Sequence, residues 1–515
     1  MRRTLAIFCM GLALASGSAI AAPRPNILLA ISDDQSFYHT SRAGFPAVNT
    51  PAFDRIAHEG VYFTHAITAS PGCSPSRAAL LTGRYPWQLE HAGTHASSFS
   101  PKYVTYPDLL EAAGYVVGFT GKGWGPGDWK VSGRTRNPAG PEFAGKTLET
   151  PEGINSKDYA ANFADFLAAR DQEKPFCFWY GGHEPHRVFK DGIGLEQGKR
   201  LEDARVPAYL PDSPEIRSDL LDYAVEIEWF DQHLGRIIAQ LEAAGELDNT
   251  IIVVTSDNGM AFPRAKANAY EAGIRMPLAI RWGAKVSGGR TVDDLISLTD
   301  LAPTFLEAAG VAHPDVAPPM IGKSLIALLT GGTSGIVEPS RDAAYSARER
   351  HSSSRYNSLG YPQRALRTHD YLYIRNFHPE RWPAGAPRKF GVGGNPEDTS
   401  ELGPMHGGYH DIDACPTLDF LIEKRDDPDF GKYLGWSVDK RPAEELFAVK
   451  NDPDCMENLA DDPDHAAMKA ELAAKMDAFL KETGDPHLVG DGAIFETYPR
   501  YSKHRIFPKP DWTEE

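Results

Sequence analysis

Short uninterrupted apolar runs alternate along this chain with longer stretches whose apolar residues recur at helical period. Asn26 to Ile31 is one such run and ends at Ser32-Asp33-Asp34. Tyr115 to Thr120, Phe176 to Tyr180 and Thr250 to Thr255 are others, the last two ending at Gly181-Gly182-His183 and Ser256-Asp257-Asn258-Gly259. Runs of this kind suit strands buried on both faces. Pro51 to Glu59 reads as a helix with Thr50 as N-cap and Pro51 in its first position. Tyr106 to Ala113, closed by Gly114, and the periodic stretch Asp222 to Ala244 read as two more. Strands alternating with helices predict an α/β fold, a large and mostly parallel sheet sandwiched by helices. Ligands of such sheets bind beyond the carboxyl ends of the strands, where the polar residues of this chain cluster.

The texture changes after about residue 335. Tyr371 to Ile374 and Glu445 to Ala448 look like strands in turn-rich sequence, and Ala466 to Glu482 like an amphipathic helix. A smaller C-terminal α+β domain is expected over 360–515, after a larger domain over 23–359. Residues 1–22 read as a secretory leader: Arg2 and Arg3, then an apolar stretch from Leu5 to Leu14, then small residues with cleavage sites at Ala19-Ile20-Ala21 or Ile20-Ala21-Ala22. A membrane anchor is the alternative, but the apolar stretch is short for a bilayer. The expectation is an exported protein, periplasmic or secreted, without stable membrane insertion.

With 515 residues, 42% hydrophobic, the chain can bury a sizeable core. Its formal net charge of -17 argues against nucleic acid, which needs a basic face. An anionic substrate would have to be met by strong local positive charge. The cysteines beyond the leader, Cys73, Cys177, Cys415 and Cys455, are too few for a disulfide scaffold. Cys177 sits in an apolar run and reads as a buried thiol, while Cys415 and Cys455 could pair.

Cys73 has different surroundings. Cys73-Ser74-Pro75-Ser76-Arg77-Ala78-Ala79-Leu80-Leu81-Thr82-Gly83-Arg84 suggests a helix beginning at the cysteine, where the dipole and free N–H groups favour anions. Asp33 with Asp34, and Asp257 with Asn258, end two predicted strands. One such pair is commonly a cap or a turn. Two oxygen-rich pairs at neighbouring strand ends suit a hard cation such as Ca²⁺ or Mg²⁺.

Cys-x-Pro-x-Arg followed by Leu-Thr-Gly-Arg resembles the maturation signature of type I sulfatases, within the alkaline phosphatase superfamily. The resemblance continues in order through Asn26 to Asp34, Asn49 to Arg84, Gly121-Lys122, His183 to His186, Ser256 to Gly259 and Glu445 to Ala460. His183-Glu184-Pro185-His186-Arg187, and Ser256 to Gly259 with Phe262-Pro263 behind, look most like the heparan N-sulfatase (sulfamidase) branch. The resemblance implies an alkaline phosphatase-like fold and a formylglycine made from Cys73 by a maturation enzyme. It implies Ca²⁺ held by Asp33, Asp34, Asp257, Asn258 and the group at position 73. It gives Arg77, Lys122 and His186 catalytic roles, and Lys266 and His183 contacts with a sulfated saccharide. Hydrolysis would begin with attack on sulfur by the hydrated aldehyde and end with its collapse, which expels sulfate.

One departure stands out. Type I sulfatases usually carry a histidine shortly after the lysine, whereas here Gly121-Lys122-Gly123-Trp124 has none; His95 and His91 are candidate replacements. Between Arg348 and Lys389 basic residues outnumber acidic ones, which reads either as a rim for a polyanionic sugar or as a solvated surface. O-sulfated algal or host glycans remain open as substrates. So do a phosphodiesterase or phosphonate hydrolase activity and, if Cys73 is not matured, a glycan-binding role.

Overall fold

The computed structural model describes residues 24–387 and 408–502. The expected leader and the end of the basic stretch at Lys389 lie outside the described residues. Strands β1 (Asn26–Ser32), β2 (Val61–Ile67), β3 (Val116–Gly121), β4 (Phe176–Gly181), β5 (Thr250–Ser256), β6 (Arg275–Arg281) and β7 (Arg290–Ser297) form a seven-stranded sheet in the order β3-β4-β1-β5-β6-β2-β7. β3, β4, β1 and β5 are mutually parallel. β6 runs against both of its neighbours, β5 and β2, while β2 and β7 are parallel. The link from β5 to β6, residues 257–274, holds only the single helical turn Glu271–Ile274, and the chain returns antiparallel beside the strand it left.

β1 is buried along its whole length, and its two faces feed two different cores. Ile27, Leu29 and Ile31 pack with Cys177 and Trp179 of β4 and with Ile251 and Val253 of β5. Leu28 and Ala30 pack with Phe176, Phe178 and Tyr180 and with Ile252 and Val254. Side chains of period two on a doubly covered sheet produce this division. Helices Cys73–Thr82, Tyr106–Ala112 and Leu301–Ala309 cover the first face. Helices Pro51–Glu59, Tyr159–Ala169 and Pro214–Ala243 cover the second. The predicted sandwich is therefore observed.

Strands β8 (Ala344–Arg348), β9 (Gln363–Arg367), β10 (Leu372–Asn376) and β11 (Glu444–Phe447) make a second sheet, antiparallel throughout. It starts ahead of residue 360. Tyr345, Leu366 and Tyr373 share one core with Leu29 and Trp179, to which helix Ala466–Glu482 adds Leu472, Met476 and Leu480. Cys177, Cys415 and Cys455 are buried free thiols, and the latter two sit in separate clusters, so they do not pair.

Candidate active site

The register of the central strands builds the site. Ser32 lies opposite Ser256 on parallel strands, so Asp33-Asp34 and Asp257-Asn258 leave the sheet side by side. Asp34 turns with φ at 73°, and its backbone N–H donates to Asp257 Oδ1 at 3.1 Å. The adjoining edge supplies Lys122 after β3 and His183 and His186 after β4. Lys122 can follow its strand directly because residue 121 is glycine. Gly121 has φ at 79°, and a Cβ there would sit 1.9 Å from the Gly181 carbonyl oxygen.

Helix Cys73–Thr82 brings the remaining groups, and all of its residues are buried. Cys73 is its first residue, with Pro75 in its opening turn. One turn on, Arg77 donates from Nε to Asp257 Oδ2 at 2.7 Å and from its Nη1 to the Lys122 and Gly123 carbonyls at 2.6 and 3.1 Å. Trp124, where a family histidine would be expected, instead donates from its indole to the Ser74 carbonyl at 3.0 Å. The indole thereby ties the lysine loop to the helix start.

The predicted residues converge. Lys122 Nζ lies 2.5 Å from Asp33 Oδ2, and Lys266 Nζ 2.5 Å from Asp34 Oδ2. Cys73 Sγ is 3.8 Å from Asp34 Oδ1, and His186 Nε2 is 3.8 Å from Asp34 Oδ2. Asn258 donates its amide N–H to Asp34 Oδ1 at 2.7 Å. Oxygen atoms of Asp33, Asp34 and Asp257 lie within 4.8 Å of one another. Asp33 Oδ1 and Asn258 Oδ1 are buried and accept no hydrogen bond. Buried oxygens without donors are costly unless something positive meets them. An all-oxygen donor set with such orphaned atoms fits a hard divalent cation.

The charges follow from the same packing. Burial pushes the Asp33 carboxyl up, but Lys122, His186, Arg77 and Lys266 outweigh it and hold the group well below the usual range. For Asp257 burial wins and raises the group to about 7. Burial, and next the Asp33 charge, lift the Cys73 thiol far above its ordinary value. Burial and then Lys266 lower His186 to about 4; burial and then Lys122 lower His183 to about 3. Both imidazoles are thus neutral near pH 7 in this arrangement.

These groups open into a cavity of about 1060 Å³ lined by Asp33, Cys73, Lys122, His183, His186 and Lys266. Sequence reasoning missed Asn155, Glu226, His410 and Asp413, while Glu184 of the His183–Arg187 motif and His351 of the basic stretch also line the cavity. Asp413 Oδ2 meets Lys266 at 3.0 Å. Glu226 had a detectable signal, an acid between Val225 and Ile227 on the buried stripe of its helix. Of the two replacement histidines, His95 lines the cavity, its ring 4.3 Å from that of His351. His91 stacks on Tyr498 instead.

The basic stretch is not a free rim. Arg348, Arg350, His351, Arg355, Arg364 and Arg367 are buried. Arg348 and Arg355 bind Asp411 at 2.6 and 2.7 Å. Arg364 holds Glu349 and Asp485 at 2.6 Å each, and Arg367 holds Glu271. Arg375 and Arg381 pair with Asp477 and Glu496. Except for Glu349, these acids come from outside the stretch, so most of its arginines are paired on folding.

The chain is similar to known proteins along most of its length. The sulfatase family model matches residues 25–311, and the model of the C-terminal region of N-sulphoglucosamine sulphohydrolase matches 264–382. An ulvan-active sulfatase of Formosa agariphila is 28% identical over 91% of this chain and 82% of its own. Human N-sulphoglucosamine sulphohydrolase is 27% identical over 95% of this chain and 96% of its own. A solved structure, of a protein in complex with its substrate D-glucosamine-2-N,6-O-disulfate, covers 91% of this chain and 100% of its own. It superposes with a TM-score of 0.63 at 22% identity, a likeness that speaks for the fold. With a signature cysteine heading a buried helix, paired acids at two strand ends and a family model spanning more than half its length, this chain belongs to the sulfatase family, whose members hydrolyse sulfate esters or sulfamates.

Proposed function

We propose that this sulfatase depends on Ca²⁺ and on formylglycine at position 73, and that it releases sulfate from sulfated carbohydrates, N-sulfated glucosamine foremost. The observation that carries the reading is the position of Cys73: at a buried helix start, 3.8 Å from Asp34, in the cavity that also holds Lys122, His186 and Lys266. A thiol held so far above its ordinary value supplies almost no thiolate, so unmodified Cys73 is a poor nucleophile and a poor ligand. Once oxidised by a maturation enzyme, position 73 would supply a hydrated aldehyde, with one oxygen to attack sulfur and another to expel sulfate.

Asp33, Asp34, Asp257 and Asn258 would hold Ca²⁺, which would draw charge from the sulfuryl oxygens. Arg77, Lys122 and Lys266 concentrate fixed positive charge around the same point. Their ion pairs keep these ammonium and guanidinium groups in place before the substrate arrives, the preorganisation on which electrostatic catalysis depends. His186 accepts or donates through Nε2, because its Nδ1–H is committed to the Arg187 carbonyl at 2.6 Å. An incoming sulfate raises the proton affinity of this ring. The protonated ring can then serve the departing oxygen or nitrogen.

The match to the sulphohydrolase C-terminal model and the near full-length match to the human enzyme support an N-sulfated sugar. The ulvan-active relative supports a second reading, an O-sulfated algal glycan. The leader-like sequence of residues 1–22 supports export. Mass spectrometry of the Cys73 peptide should find the loss that accompanies conversion of thiol to aldehyde. Cys73→Ser should lower sulfate release by about a hundredfold or more, and chelation should abolish it. A fully active protein carrying an unmodified thiol would overturn the proposal. Sulfate release from N-sulfoglucosamine and from ulvan oligosaccharides separates the two substrates.

A further inference from the structure

We infer that Glu226, with Glu184 beside it, forms the wall of the cavity that reads hydrogen-bond donors of the sugar from which sulfate departs. The inference rests on the saccharide reading above and extends it to residues outside the sulfate-binding constellation.

Glu226 lies midway along helix Pro214–Ala243, is 1% exposed and lines the cavity that also holds Cys73 and Lys122. Its Oε1 is buried and has no hydrogen-bond partner. Arg187, the arginine whose charge reaches it, is spent on Asp219 at 2.7 and 2.8 Å. Glu184 lines the same cavity, and its carboxylate already accepts from the Tyr159 hydroxyl at 2.9 Å and the Asn155 backbone N–H at 3.1 Å. One acid is therefore held in place by the protein, and the other is left with an orphaned oxygen at the cavity wall.

A structural carboxyl in such a position would be expected to have a partner, because a buried polar group without one costs stability. Burial, and next the charge of Glu184, raise Glu226 to about 9, so at neutral pH the group is a carboxylic acid able both to donate and to accept. The cavity is thereby polarised. Ammonium groups gather where the sulfate would lie, and a wall carrying Glu184 and Glu226 presents carboxyl groups, its Arg187 being bound to Asp219. A sulfated sugar has the matching pattern, an anionic substituent on a ring that bears hydroxyl or amino donors.

Binding of unsulfated glucose and glucosamine to the wild-type protein, Glu226→Ala and Glu226→Gln, followed by titration calorimetry, tests the inference without relying on turnover. Loss of a buried hydrogen bond to the ligand should weaken sugar binding about tenfold or more in Glu226→Ala. Recovery by Glu226→Gln would identify hydroxyls as the donors. Loss in Glu226→Gln confined to glucosamine would identify the ammonium. Sugar binding equal in all three proteins, or absent from the wild type, overturns the inference. In turnover, Glu226→Ala should cost a sulfated sugar at least about tenfold more in kcat/KM than an aryl sulfate. Equal losses on the two would also overturn it. Failure of the wild type to release sulfate from any substrate would tell instead against the catalytic reading of Cys73.

Discussion

His95 and His351 stand at the head of the Cys73 helix, in a sequence that has no histidine just after Lys122. A Cβ added to Gly72, the residue before Cys73, would lie 3.1 Å from His351 Nδ1 and 3.9 Å from His95 Cδ2. Both rings therefore stand against the start of the catalytic helix, and both line the cavity. An imidazole here can orient or deprotonate a hydroxyl at position 73, a contribution of about a hundredfold for a well-placed base. His95→Ala and His351→Ala should each lower kcat by about tenfold or more while leaving bound-metal content unchanged. The double variant should lose less than the product of the two, as expected when neighbouring rings act on one group. Metal analysis alongside steady-state kinetics checks this, and wild-type rates in both single variants would remove the pair from the mechanism. His91→Ala should stay near the wild-type rate, since that ring stacks on Tyr498.

At the scale of elements, function depends on how closely β3 and β4 approach where they end. Lys122 N–H donates to the Gly181 carbonyl at 2.8 Å, and a Cβ on residue 121 would fall 1.9 Å from that same oxygen. Gly121→Ala should therefore cost about 2 kcal/mol or more through the clash and the positive φ. It should also displace Lys122 and lower kcat; an unchanged urea midpoint with an unchanged rate would refute this account. The strand ends were legible in the sequence because strands buried on both faces appear as continuous apolar runs, with Asp33, His183 and Asp257 placed just after them. The reversal of β6 was not legible, since an apolar pattern records burial and carries no strand direction. Glu226 and Asp413 belong to no motif, and only packing brings them to the cavity. The arginines from Arg348 to Arg381 were misleading for a related reason. Charge is a local property of sequence, whereas partners such as Asp411 and Asp485 lie 63 and 121 residues away from Arg348 and Arg364.

For the molecule as a whole, the loop between β8 and β9 links stability to the site, and Asp411 holds that loop. It accepts from Arg348 and Arg355 at 2.6 and 2.7 Å and from the Ser352 backbone N–H at 2.9 Å, the residue next to His351. Burial pushes this carboxyl up, but Arg355 and Arg348 overcome it and leave the group below its ordinary 3.8. A carboxyl depressed in the folded state adds stability that is present above the unfolded value and is lost as pH falls. Replacing Asp411 by Asn leaves two buried guanidinium groups without their counter-charge and should cost about 3–5 kcal/mol at pH 7. The gap in urea midpoint between wild type and variant should stay level from about pH 8 to 5 and narrow below about pH 4, where the carboxyl of the unfolded chain takes up a proton while that of the folded protein stays ionised. A gap that does not change down to pH 3 would mean that Asp411 acts through shape alone. Because the same loop carries His351 to Cys73, the variant should also lose turnover under conditions where it is still folded. A variant that is destabilised but has normal kcat would show that the loop's anchor and its histidine act independently.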